Sequence, residues 1–213
     1  LLIMPRALVA PSREALARYA ALSRAELADV SANYRILGLA GPAADRLASE
    51  LEGPNGGGST DGTRALRHAA RRYLVLAPTA AAKARWAALA QSARPVGLPL
   101  WHLADIRAGI ASLSPETCEQ FVPQMLGLEQ RGAISFTKGC YTGQEVVARS
   151  QHLGKLKRHL YRLGFAAPAA PKPGAPLAIP QNGQPAGILV TAAPAAAGQC
   201  EALAVLRGET GQC

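Results

Sequence analysis

The stretch GAISFTKGCYTGQEVVAR, residues Gly132–Arg149, carries the densest structural instruction in the chain. Its apolar start, Ala133–Phe136, reads as a strand. Gly139 and Gly143 then flank Cys140 and Tyr141 in a tight turn, and Gln144–Ser150 reads as a short helix. Within that helix Glu145 and Arg149 stand one turn apart and can pair. Glycines around a cysteine at a strand-to-helix turn let the backbone approach a ligand closely and leave the thiol exposed. Lys138 and the N-terminus of the coming helix place positive charge beside a sulfur that could attack or coordinate. The plainer alternative is a buried cysteine beside a structural turn. The glycines and polar neighbours count against it.

Upstream, Leu1–Met4 reads as a buried strand stopped by Pro5, and Ser12 can cap a helix to about Leu22. Arg24–Val30, Tyr34–Leu39 and Arg72–Leu76 read as strands, and Gly41-Pro42 opens a short helix to Leu51. Glu52–Gly62 is a flexible loop by composition; no Gly-Lys-Ser/Thr follows its glycines, so it is not a phosphate loop. Thr79–Ser92 is the clearest helix, with Trp86 and Leu89 expected in the core. Helical segments are also expected over Trp101–Leu113 and from Ser114 to Phe121, with Cys118 a core residue.

From Leu156 the texture changes to short apolar runs, Leu160–Phe165, Leu177–Ile179, Gly187–Thr191 and Ala202–Leu206, separated by Pro, Gly and Asn-Gly turns. That pattern predicts a small antiparallel β-barrel. The expected organisation is α+β: an α+β region over 1–151 and a β-barrel over 156–213. The start on an apolar run without methionine suggests the later part of a longer protein.

The chain has 213 residues, 49% apolar and 17% charged, which supports a packed core and excludes wholesale disorder. No uncharged run approaches the roughly 20 apolar residues of a membrane span. The formal charge is +9, and no acid occurs between Val146 and Cys200, where Arg149, Lys155, Lys157, Arg158, Arg162 and Lys172 fall. Such a field favours anionic partners, a weak nucleic-acid contact among them. A solvated face of a basic protein would look the same. Cys118, Cys140, Cys200 and Cys213 form no Cys-x-x-Cys, and His68, His102, His152 and His159 form no ligand spacing. No metal site is expected, and the cysteines read as reduced in the cytoplasm.

KGCYTGQEVVAR resembles the signature of the YgfZ family of folate-binding proteins, relatives of the glycine-cleavage T-protein aminomethyltransferases. The likeness extends upstream through Asp105–Ile110 and Phe121–Leu126. It implies a T-protein-like folate-binding domain, here N-terminally truncated, followed by a C-terminal β-barrel. It also implies tetrahydrofolate as cofactor, and an accessory role in iron–sulfur cluster assembly or repair with an indirect effect on tRNA modification. Iron–sulfur assembly proteins or client enzymes would be the partners. By position, Cys140 matches the signature cysteine, and Lys138, Gly139, Tyr141, Gly143, Gln144, Glu145 and Arg149 match the folate-facing signature. Arg107 is expected to bind the folate with them, but it stands where aminomethyltransferases have a folate-facing glutamate, which weighs against their chemistry. A folate-dependent aminomethyl- or methyltransferase remains the alternative. A nucleic-acid module over Arg149–Arg162 is a third, with Tyr161 its lone aromatic platform.

Overall fold

The computed structural model describes residues 1–52, 59–152, 156–179 and 181–208. The chain divides into two compact units, Val9–Gly97 and a second made of Leu1–Leu8 with everything from Leu98 onward. The first unit contains most of α1 (Arg6–Leu22), then β1 (Tyr34–Ala40), α2 (Ala44–Glu52), β2 (Arg64–Ala69), β3 (Arg72–Pro78) and α3 (Thr79–Ala90). β3, the most apolar strand, is central and antiparallel to both neighbours, with Val75 opposite Leu37 and Ala65. α2 offers Ala44, Leu47, Ala48 and Leu51, the 3.6-residue stripe of a helix lying on a sheet, and all are buried with Leu39, Ala65 and Val75.

Several expected elements differ. Leu1–Met4 forms no strand, and Leu1 and Leu2 are 74% and 66% exposed. α1 begins at Arg6, ahead of the expected Ser12 cap, and buries none of its residues. Arg24–Val30 is not a strand either, since α1 ends in a turn at Arg24 with φ of +51°. β2 went unread because alanine and arginine are poor strand formers; its pairing with β3 through a two-residue turn decides the matter. Trp86 is 44% exposed rather than core, while Leu89 does pack against the cluster.

Most of the expected loop at 52–62 lies outside the described residues; its last residues are clamped to α3. Arg85 Nε binds Asp61 Oδ2 at 2.7 Å and its Nη2 donates to Ser59 Oγ, while Asp61 Oδ1 accepts the Thr63 N–H at 3.0 Å. The Arg85 guanidinium holds the Asp61 carboxyl far below the usual carboxylate range. A depressed folded value means stability that is present above the unfolded carboxyl's pKa of about 4 and is lost as pH falls below it. Asp61→Asn keeps the turn acceptor and removes the charge. It is expected to cost about 1 kcal/mol at pH 7 and to flatten the stability loss below pH 4, read by melts at pH 7 and pH 3. An unchanged melt at pH 7 would remove the clamp from the account.

The second unit holds α4 (Leu98–Arg107), 3₁₀ turns at Pro115–Thr117 and Pro123–Leu126, α5 (Gln144–His152), and strands β4 (Arg158–Ala166), β5 (Pro176–Ala178), β6 (Pro185–Ala196) and β7 (Gln199–Arg207). The sheet is antiparallel in the order β4-β7-β6-β5. β4 and β5 are therefore its two edges, and among the described residues no barrel closes. Three-residue β5 is short for a closing strand, and β6 shifts register twice, between Leu189 and Thr191 and between Pro194 and Ala196. α4 covers one face, where Leu103 and Ile106 meet Val190, Leu203 and Val205; the other face packs Tyr161, Leu163, Ala204 and Leu206. Because α4 and the turns share a core with β6 and β7, the compact units part at Gly97–Leu98, not between 151 and 156.

The helix expected over Trp101–Leu113 is shorter and earlier. α4 ends in a Schellman motif, with Gly109 N–H on Ile106 O, Ile110 N–H on Asp105 O, and Gly109 at φ +65°. Ser114 starts only the 3₁₀ turn, closed by a Ser114–Thr117 capping box. Cys118 follows it and is exposed, against the expectation of a core residue. Each unit carries one tryptophan, Trp86 on α3 and half-buried Trp101 on α4.

Candidate functional site: the exposed cysteine turn

Ala133–Phe136 is irregular backbone, not a strand, and Phe136 is 45% exposed. Among the described residues no strand pairs with it, so its apolar character alone does not make a ladder. The turn that follows has its own internal bonds. Lys138 N–H donates to Ser135 Oγ at 3.2 Å, and Lys138 Nζ sits 4.5 Å from the centre of the Tyr141 ring. Gln144 N–H donates to Tyr141 O at 3.2 Å while Tyr141 N–H donates to Gln144 Oε1 at 3.1 Å. This reciprocal pair closes Tyr141–Gln144 as a β-turn, and Gly143, at φ +88°, supplies the positive angle its third position needs.

Cys140 lies just ahead of that closed turn, exposed and free of any disulfide. Nothing stands within 4 Å of a side chain added at Gly139 or Gly143, so approach from solvent is open on both sides of it. Behind the turn α5 is fixed by buried Val147, whose carbonyl accepts Gln124 Nε2 at 2.7 Å. Glu145 and Arg149 pair at 3.0 Å on the solvent face, with side chains 82% and 69% exposed, and such a pair is worth little to stability.

Lys138, Gly139, Cys140, Tyr141, Gly143, Gln144, Glu145 and Arg149 thus form one continuous exposed turn and helix. Arg107 is not joined to it by any hydrogen bond or ion pair among the described residues. At the end of α4 it binds Glu201 on β7, with Nη2 and Nε at 2.6 and 2.9 Å from Oε1. The Arg107 guanidinium holds the Glu201 carboxyl below the usual range, and Glu201 in turn raises Arg107.

Three participants escaped the sequence reading. Glu201 is the acid that ends the acid-free run, a signal visible in hindsight. Gln124 lies in the Phe121–Leu126 likeness but with no signal of its bond to α5, and Arg131 had none. Arg131 closes the C-terminus of α4, donating from Nε to Gly109 O at 3.2 Å and from Nη2 to Ala108 O. Beside it a groove of about 490 Å³ is lined by Gly109, Gly127, Gln130, Arg131 and Leu160. Among the described residues no group of three or more His, Cys, Asp or Glu side chains could hold a metal ion. No helix among them is long and apolar enough to cross a membrane.

No protein-family model matches the chain.

Proposed function

We propose that this chain is a cytoplasmic tetrahydrofolate-binding accessory protein of iron–sulfur cluster assembly or repair, with an indirect effect on tRNA modification. One observation carries the reading: KGCYTGQEVVAR is presented as an exposed, internally bonded turn with Cys140 at the surface, anchored from behind through Val147 and Gln124. A buried packing cysteine would need none of this. The reduced folate binds along the Lys138–Glu145 turn, and Cys140 supplies one thiolate to a client's iron while other proteins supply the rest. The engagement of Arg107 by Glu201 leaves it poorly placed to replace the glutamate of an aminomethyltransferase.

Anaerobic titration with tetrahydrofolate tests the first half. The native chain is expected to bind, and Tyr141→Ala to weaken binding about tenfold, or 1.4 kcal/mol. Cys140→Ser, a small change at an exposed site, is expected to fold and bind folate normally. It is also expected to abolish support of iron–sulfur enzymes in cells lacking the native protein. Absence of folate binding by the native chain would overturn the reading, and full complementation by Cys140→Ser would remove the thiol from it.

A further inference from the structure

The groove beside α4 is lined by none of the residues of the cysteine turn. Its floor is Leu160 on β4, and strand alternation puts Arg158 and Arg162 on the same face, one on each side of that leucine. Leu160 packs with the α4-side core, so this face is the one α4 covers, whereas Tyr161 packs on the opposite face. Arg207 stands directly across from Arg158 in the β4–β7 ladder. Arg131 forms a wall, and its two acceptors are neutral carbonyls, so its charge is not cancelled by an acid there.

Among the described residues Arg158 and Arg162 make no ion pair, and both are exposed. Among the described residues, Glu201 holds Arg107 while lying within the field of Arg162, and Glu129 is half-buried and already engaged.

We propose that this groove is a binding site for a small multivalent anion, a compound carrying two or more carboxylates or phosphates. The anion lies over Leu160 between the guanidinium groups of Arg131, Arg158 and Arg162, with the Gln130 amide beside it. Arg158 and Arg162 are four residues apart on one strand, with Cα atoms roughly 13 Å apart, so their long side chains converge from two sides on a ligand that offers more than one charge. A single-stranded nucleic acid is the disfavoured occupant. It would need bases stacked on aromatic rings, and the one aromatic residue of this strand segment ahead of Phe165, Tyr161, faces away.

The proposal stands apart from the folate reading, because its probes contain no pterin. Pyrophosphate and citrate, titrated separately into the native chain at low salt, are the two arms, with isotope-labelled amides followed by NMR. Saturable shifts are expected at Gly109, Gly127, Gln130, Arg131 and Leu160, in the phosphate arm, the carboxylate arm or both, which identifies the preferred group. The Arg158→Gln/Arg162→Gln variant, two exposed changes on an edge strand, is expected to keep its melting temperature and to bind at least about tenfold more weakly. Unchanged affinity in that variant, or shifts confined to other residues, would overturn the site. So would an oligouridylate that binds tighter than both probes and needs the same two arginines, because it would make the groove a nucleic-acid surface.

Discussion

Gly187→Ala is expected to destabilise the second unit by about 3 kcal/mol and to lower its melting temperature by roughly 6–12 °C. Gly187 sits in β6 opposite Leu206 of β7, at the best-paired seam of the sheet. A methyl group there would drive into the Val205 carbonyl oxygen, with Leu206 Cα only 2.9 Å away. Both atoms are backbone, so neither can swing aside as a side-chain tip can. Relief requires β6 and β7 to separate, and the same movement disturbs Leu189, Val190 and Leu203, all of which are essentially inaccessible. Gly139→Ala is the control, with nothing within 4 Å of the added methyl, and a change within about 0.5 kcal/mol is expected. Equal melts for the two variants would mean that β6 and β7 are not held as close as described.

Ile106→Ala is the second large effect, at about 3 kcal/mol, with Ile106→Val nearer 1 kcal/mol. Ile106 is fully buried and, with Leu103, docks α4 on Val190, Leu203 and Val205. The residue that follows is Arg107, and the helix then ends at Gly109 on a groove wall. A cavity under Ile106 therefore loosens both the Arg107–Glu201 bond and the groove. Denaturant unfolding gives the stability, and anion affinity measured on the still-folded variant gives the coupling. A loss under 1 kcal/mol would show that α4 does not rest on this residue.

What the sequence disclosed depended on where the deciding forces were local. Tyr34–Leu39, Arg72–Leu76, Thr79–Ser92 and the apolar runs after Leu156 were legible because their own periodicity specifies them. The Gln144 helix and the Glu145–Arg149 pair followed from spacing alone. β2 was invisible because partnership with β3, not the residues Arg64–Ala69 themselves, makes it a strand. Ala133–Phe136 failed in the opposite direction, apolar enough for a strand but paired with no strand among the described residues. Barrel closure likewise depends on whether two edges meet, which no window of sequence contains. Within the site, Cys140 was found through its glycines. The guanidinium of Arg131 and the amide of Gln124 bond to backbone carbonyls 22 and 23 residues away, and such bonds leave no trace in composition.

The placement of one tryptophan in each compact unit gives the molecule two built-in optical reporters. Trp86, 44% exposed on α3, should emit to the red, and half-buried Trp101 on α4 further to the blue. With one of them replaced by phenylalanine, the remaining indole follows its own unit through a melt. Fluorescence alone can then tell whether the two halves of the chain come apart in a single cooperative step or each at its own temperature.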